Sequence, residues 1–487
     1  MEERLKEDIS INTSKNIAYI KTIMKNSSDV VYREFLIKDW KCALVYIDGM
    51  IDKYLLDDYL LRAVMRYEID IKDVHEIKDR LLTVSDIKEV TDLGEGINAV
   101  LSGDTLMFIE SLGSCYVIAS RLWPVRGISE PSSETVVRGS RDGFTETIRF
   151  NTALVRRRIK DTRLKILPEK LGKRSKTDVA ILYIEDIVNK EVLSELMKRI
   201  GKINIDAIFD SGYVEQLIED NIWSPFPQIQ STERPDVVAA ALYEGRVAIL
   251  VDNSPFAIVV PATLPNLFQS PDDYYQRWIY SSVVRIIRFL SVLISLVLPA
   301  FYIAITSFHT GIIPTRLAYS IAASREGVPF PAYVEVMIME FSMAFLTEAI
   351  VRLPKAIGAT IGIVGGLIIG QAAVSAGIVS PIMIIIVSIT VITSFVIPNY
   401  QVTTAFRLVR FLIIIAATIA GLYGMMLGLI VLLIHLTRLK SFGIPYLAPA
   451  VNTEKGDLKD MFIRFPLRYL KTRPKYMKTG DKIRQKE

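Results

Sequence analysis

Residues 356–406 form a run of 51 residues without a single Asp, Glu, Lys or Arg. A helix crosses a bilayer with roughly 20 apolar residues, so this run is too long for one span and predicts two. The break falls at Ala376-Gly377 and Ser380-Pro381, small and helix-ending residues that predict a tight turn. A helical hairpin is the expected local structure, with 382–397 as its second arm ending at Pro398. Two further apolar segments, 289–308 with a kink at Pro299 and 411–436, bring the expected count to four spans within 289–436.

Charge is distributed unevenly around this block. Residues 1–280 carry 37 Lys and Arg against 44 Asp and Glu, whereas 436–487 carry 13 against 5. A mildly acidic globular part is therefore expected to precede the membrane block, with a basic tail over 437–487 after it. The opening MEERLKEDIS has no apolar run of signal-peptide type, which places the first 280 residues in the cytoplasm. Cys42 and Cys115 both sit in apolar strand-like runs and read as buried reduced thiols.

Within the acidic part, 1–30 is polar and reads as a mobile helix or tail. Short apolar runs follow, with strands at 41–47, 106–110 and 115–120, and helices at 54–67 and 90–101. The order then returns: CALVYIDGMID at 42–52 resembles VAILYIEDIVN at 179–189, and 99–119 resembles 240–260. Two related α/β subdomains, 31–122 and 177–262, account for this. The competing account is that strand, acidic turn and strand recur by chance in any α/β protein. The seam between two such subdomains is a place where a ligand or partner would be sought.

The segment 123–176 is read as a linker and helix. Its core, EPSSETVVRGSRDGFTETIRFNTALVRRRIK over 130–160, holds a basic glycine-bearing loop before a helix expected at 144–159. Arg138 and Arg141 at a helix start can hold an anion. The plainer account pairs them with Glu130, Glu134 and Glu146 to fix the linker. Arg156, Arg157 and Arg158 cannot share one helix face, so at least one must meet a partner or a carboxylate elsewhere.

Catalytic patterns are not found. His75, His309 and His435 lie far apart, without the Cys/His spacing of a zinc site. Gly94-Glu95-Gly96 lacks the third glycine of a dinucleotide fingerprint, and neither a GK[ST] phosphate loop nor a Gly-x-Ser-x-Gly elbow occurs. No catalytic residue, cofactor or metal is expected. The acidic balance of the folded part disfavours nucleic acid as a partner.

Residues 263–288 read as a connector ending in a surface helix anchored by Trp278, Tyr280, Arg285 and Arg288. The segment 332–353 is apolar but carries Glu335, Glu340, Glu348 and Arg352. Each acid at a bilayer centre costs roughly 2.5–3.5 kcal/mol, so this helix is expected either to lie at the interface or to face water inside a bundle. In the hairpin, Gly358, Gly362, Gly366 and Gly370 recur every four residues, spacing that allows close helix packing in lipid. The opposite stripe, Thr360, Val364, Leu367, Gln371 and Ser375, has two readings. It lines a pore in a ring of subunits, or its polar members bond neighbouring helices. Lys and Arg near the span ends do not settle orientation, but a cytoplasmic N-domain and C-tail require an even number of crossings.

These residues resemble the A subunit of GerA-type spore germinant receptors of endospore-forming bacteria. The resemblance runs from about 30 to 470 and is carried by 130–160, by VPFPAYVEVMIMEFSMAFLTEAIVRLP, by IGATIGIVGGLIIGQAAVSAGIVSP and by the spans after them. It implies a multi-pass protein of the inner spore membrane that assembles with a transporter-like B subunit and a lipoprotein C subunit. It also implies an oligomer, a pentamer, that conducts cations when nutrient is bound. Ala344, Thr347 and Ile350 stand where many relatives carry Glu, Arg and Gly, which thins the charge near the mouth. Taken together, a multi-domain membrane protein is expected: a cytoplasmic α/β region of two related subdomains, an all-α transmembrane bundle of about four spans plus one acidic interfacial helix, and a basic C-terminal tail. A ligand-gated channel subunit is the functional expectation. A non-conducting scaffold that docks the B and C subunits is the alternative, and a solute transporter working alone is disfavoured by the few spans.

Overall fold

Apolar runs such as Trp40–Ile47 are rich in β-branched and aromatic residues and are buried along most of their length, as central strands of a covered sheet must be. In the computed structural model, which describes residues 7–66, 73–122, 131, 134–451 and 457–485, the chain divides into two compact units. The first comprises residues 1–220, 229–261 and 470–487, the second 221–228 and 262–469.

The first unit holds two antiparallel five-stranded sheets. In one, β1 (Val30–Ile37), β2 (Trp40–Ile47), β3 (Ile87–Val90), β4 (Thr105–Ile109) and β5 (Cys115–Ile118) lie in the order β1-β2-β4-β5-β3. In the other, β6 (Leu164–Leu171), β7 (Thr177–Ile184), β8 (Gln230–Thr232), β9 (Val247–Val251) and β10 (Ala257–Val260) lie in the order β6-β7-β9-β10-β8. The strand order is the same in both. β6 is the counterpart of β1, so the second sheet begins inside the stretch read as linker. Its signature is weaker, because LKILPEKL carries Pro168 and alternates charge with apolar residues, which suits an edge strand.

Helix α1 (Thr13–Ile23) is no mobile tail. Asn12 caps it by accepting from Lys15 N, and Ile17 and Ile20 are buried, with Ile20 packed in the core of the first sheet. Helix α2 (Leu93–Leu101) lies on the same sheet and α4 (Pro235–Tyr243) on the second. Between the sheets runs α3 (Ile148–Arg158), whose Ala153 joins the first core and whose Leu154 and Val155 join the second. Gly49, at a positive φ of 85°, lets the turn after β2 approach α3, where a Cβ would come within 3.0 Å of the Arg149 carbonyl oxygen.

Residues 470–485 are not a free basic tail. Arg473 donates from Nε to the Tyr243 carbonyl (2.7 Å), Asn189 donates to the Met477 carbonyl (2.8 Å), and Gly480 N donates to the Ile187 carbonyl (3.2 Å). Backbone bonding straps this segment along the second sheet's helices and turns. The earlier part of the expected tail is ordered too: Lys440–Ser441 pairs with Ile444–Pro445 within the helical unit.

The helical unit opens with α5 (Trp278–Ser307), followed by α6 (Thr315–Arg325), α7 (Ala332–Arg352), α8 (Lys355–Ser375), α9 (Pro381–Ser394) and α10 (Tyr400–Arg438). By length and composition α5 and α10 are able to cross a membrane. α10 is not one rod. At Ala420 and Gly421 the backbone leaves helical geometry, with Gly421 at φ 58° and ψ −137°, a region open to glycine. Beyond this point the chain doubles back: a Cβ on Gly428 would lie 3.2 Å from Ile413 Cγ1, and one on Gly424 would strike the Ala416 carbonyl. Residues 15 apart on a straight helix stand about 22 Å apart, so α10 is two antiparallel limbs. The Phe226 ring, 5.2 Å from Phe406 and 6.0 Å from His435, touches both free ends. The expected fourth span, 411–436, thus straddles the turn of a hairpin, a turn that carries neither proline nor polar residue.

Candidate functional site

The side chains that the sequence singles out fall into two places, the interior of the helical unit and the loop before α3. In the helical unit, α7 turns its first two acids into the bundle. Glu335 and Glu340 are buried, each against a cation from another helix. Glu340 accepts from Arg410 Nη2 on α10 at 2.7 Å, the two side chains being 1% and 4% exposed. Glu335 accepts from Arg325 Nε on α6 at 3.1 Å and, through its other oxygen, from Ser380 N at the start of α9 at 2.8 Å. A carboxylate that is prohibitively placed alone is tolerated when a guanidinium neutralises it inside the bundle. Glu348 and Arg352 form a separate pair at 2.7 Å on the exposed last turns of α7.

Further polar groups line the same interior. Tyr302 of α5 and Ser380 are buried, and Glu340 Oε1 and Arg410 Nε have no hydrogen-bond partner among the described residues. Arg407 donates to Thr347 Oγ1 at 3.3 Å. At the entry to α5, Trp278 and Tyr280 are exposed as anchors should be, but Arg285 and Arg288 are not anchors. They turn inward and clasp Asp273 at 2.7–3.0 Å.

α8 lies against α7. A Cβ on Gly358 would come 3.2 Å from the Ile350 carbonyl oxygen, one on Gly362 3.2 Å from Ile350 Cδ1, and one on Gly365 3.0 Å from Leu346 Cδ1. A Cβ on Gly370 would lie 3.8 Å from Ile384 of α9, and one on Gly366 would meet nothing within 4 Å among the described residues. Of the stripe on the other face, Gln371 and Ser375 are exposed, whereas the side chains of Thr360, Val364 and Leu367 lie outside the described residues. Gly421, Gly424 and Gly428 form a second small-residue row, and it brings the two limbs of α10 together.

In the α/β unit, the glycine-bearing loop is laced by two arginines. Arg158 of α3 donates to Asp142 Oδ2 (2.6 Å) and Ser140 Oγ (2.8 Å). Arg234, fully buried, donates to the carbonyls of Glu134 (3.2 Å) and Ser140 (2.8 Å) while paired with Asp236. Thr232 Oγ1 donates to Glu134 Oε2 at 2.6 Å, and burial pushes the Glu134 carboxyl up to about 7. The Glu146 carbonyl accepts from Asn253 N at 2.7 Å, and Asp252 caps α3 by accepting from Ile148 N. Arg138 and Arg141 are exposed on this loop, each with interactions of its own, and Glu130 lies outside the described residues.

The strongest tie in the seam is one that sequence spacing did not assign. Arg156 donates from Nε and Nη2 to the two oxygens of Asp29, both at 2.9 Å, and from Nη1 to the Leu164 carbonyl at 3.1 Å. Asp29 immediately precedes β1 and Leu164 opens β6, so one buried guanidinium joins the leading edges of both sheets. Ser28 completes the join by donating from N and Oγ to the Ile166 carbonyl. α3 and this ion pair occupy the seam. Among the described residues, no group of three or more His, Cys, Asp or Glu is placed to hold a metal ion.

A paired-sheet α/β unit, continuous with a helical unit whose buried acids are matched by arginines and two of whose helices are long and apolar enough to cross a bilayer, defines a two-part protein with candidate membrane spans. Residues 18–476 match the family described as Bacillus/Clostridium GerA spore germination protein, and the chain belongs to that family. It is 44% identical over 450 residues to the spore germination protein GerLA of Bacillus cereus, covering 92% of each chain. It is 41% identical over 483 residues to the uncharacterized membrane protein YfkQ of Bacillus subtilis (strain 168), covering 99% of this chain and 94% of that one. The crystal structure of the N-terminal domain of the A subunit of the Bacillus megaterium spore germinant receptor GerK3 is 36% identical. It covers 54% of this chain and 99% of that one, with a TM-score of 0.43.

Proposed function

We propose that the chain is the A subunit of a nutrient germinant receptor and forms an oligomeric, ligand-gated cation channel in the inner membrane of the spore. Family membership over nearly the whole chain supports the receptor assignment. The observation that carries the channel reading is the disposition of α8. Gly358, Gly362 and Gly365 seat it on α7 of the same chain, while Gln371 and Ser375 stay exposed, a weakly polar stripe left for a ring of identical helices to complete. The ring is a pentamer, and the transporter-like B and lipoprotein C subunits are its partners. No catalytic step is assigned to it. Nutrient bound elsewhere opens the ring only by binding the open form more tightly than the closed one.

In this reading the helical unit crosses the bilayer six times, through α5, α7, α8, α9 and the two limbs of α10. Their ends alternate: the connections at 308–314, 326–331 and 376–380 and the tip at Gly421 gather at one end, supported by Gly421 against Phe308 and His309 and by Gly377 against the Gly327 carbonyl. Both flanks of the unit join the α/β unit, which lies in the cytoplasm.

Cation leak from liposomes holding the chain with its B and C partners tests the channel. Val364→Ala and Gln371→Ala should change the leak severalfold while assembly stays intact. Unchanged leak in both variants, with and without nutrients, would leave the chain as a scaffold that docks the other subunits.

A further inference from the structure

From the helical unit, and resting on its reading as membrane-embedded, we infer that the loop 221–228 is a membrane-surface anchor that seats Trp223 among lipid headgroups. The tip of this loop is apolar and bare: Trp223 is 88% exposed and Ile222 68%. An indole that water surrounds is poorly placed, whereas a headgroup layer accommodates both its apolar ring and its N–H.

The loop is rigid. Asn221 N donates to Gln228 Oε1 and Gln228 Nε2 donates to the Asn221 carbonyl, both at 2.8 Å, so the loop is closed by a reciprocal clamp with Gln228 fully buried. Asn221 Oδ1 accepts from Trp223 N at 3.1 Å, and Ser224 Oγ accepts from Phe226 N at 3.2 Å, which fixes the turn that projects the tip. It is also pinned at one depth. Ser224 Oγ lies 2.9 Å from His435 Nε2, Ser441 Oγ donates to the Gln228 carbonyl at 2.6 Å, and the Phe226 ring is buried among Phe406, His435 and Tyr446.

His435 stands one turn before the end of α10. Just before it, Val431, Leu433 and Ile434 are exposed apolar residues that suit hydrocarbon, and just after it Arg438 and Lys440 are exposed cations. Apolar surface giving way to Lys and Arg marks the headgroup level, and the clamp holds Ile222 and Trp223 at that boundary. The anchor thus continues the lipid-facing surface of the last limb.

The test uses the full chain in liposomes of ordinary or brominated phosphatidylcholine, with bromines high on the acyl chain. Emission lost on Trp223→Phe should be blue-shifted from that of indole in water, strongly quenched by bromolipid and little affected by acrylamide. Trp223 emission that acrylamide quenches and bromolipid does not would overturn the anchor, and so would emission immune to both, which would mean a protein surface covers the loop. The emission lost on Trp278→Phe, from the exposed start of α5, reports separately on the membrane reading. Bromolipid quenching at Trp278 without quenching at Trp223 rejects the anchor alone, whereas absence of quenching at both rejects the embedding itself.

Discussion

Two residues in the α/β unit carry more than their neighbours. Arg156 is fully buried and holds both oxygens of Asp29, so Asp29→Asn leaves a guanidinium without its charge partner in the middle of the seam. Breaking a buried pair from one side costs about 3–5 kcal/mol, and the variant should lower the unfolding midpoint of the α/β transition accordingly in calorimetry of the full chain in detergent. Glu134 acts in the opposite sense. Burial raises its carboxyl to about 7 against an ordinary value near 4.5, so the folded protein favours its protonated form. Its stabilising share is complete below pH 4.5 and is lost as pH rises through 7. The same midpoint, followed from pH 5 to pH 7.5, should fall less steeply in Glu134→Gln than in the unchanged chain.

At the scale of elements, the decisive one is the hairpin of α10. A Cβ at Gly421 would meet Phe308 Cβ at 2.9 Å from a backbone conformation that side chains strain to adopt. Gly421→Ala should therefore cost about 1–3 kcal/mol or more, measured as a lower thermal midpoint or as loss of folded protein in detergent extracts. Gly366→Ala, whose Cβ would meet nothing within 4 Å among the described residues, should stay within about 0.5 kcal/mol of the parent. The contrast shows what sequence makes legible. Strands β2, β4, β5, β7, β9 and β10 announce themselves as short β-branched runs bounded by turn residues. The four-residue glycine row of α8 is equally plain. The reversal at Ala420-Gly421 is not, because an uncharged helix that turns on one glycine has the composition of one that continues. The glycines at 421, 424 and 428 were the available signal, spaced to let two limbs touch. The pairing of Glu340 with Arg410 was equally hidden. Its partners are 70 residues apart, and only the fold brings them to 2.7 Å.

For the whole molecule, chain topology says what span-end charges do not. The α/β unit includes residues both before the helical unit and after it, so a membrane crossed by that unit must be crossed an even number of times. The proposed six crossings keep the parity of the expected four, adding α7 and dividing the fourth span between the two limbs of α10. Cysteine labelling in intact vesicles checks this: Gly311→Cys and Gly327→Cys should react with impermeant reagents from one face, Asn399→Cys and Lys440→Cys from the other. The native thiols will not interfere, because Cys42 and Cys115 are buried and burial pushes both up to about 12. The strap formed by residues 470–485 also sets an order of events in time. Its hydrogen bonds to the Tyr243 and Ile187 carbonyls and from Asn189 close a subdomain whose other parts leave the ribosome more than 200 residues earlier. During synthesis the second sheet must wait, unstrapped, until the helices of the other unit have been made, so the α/β unit closes only after the helical unit has been translated.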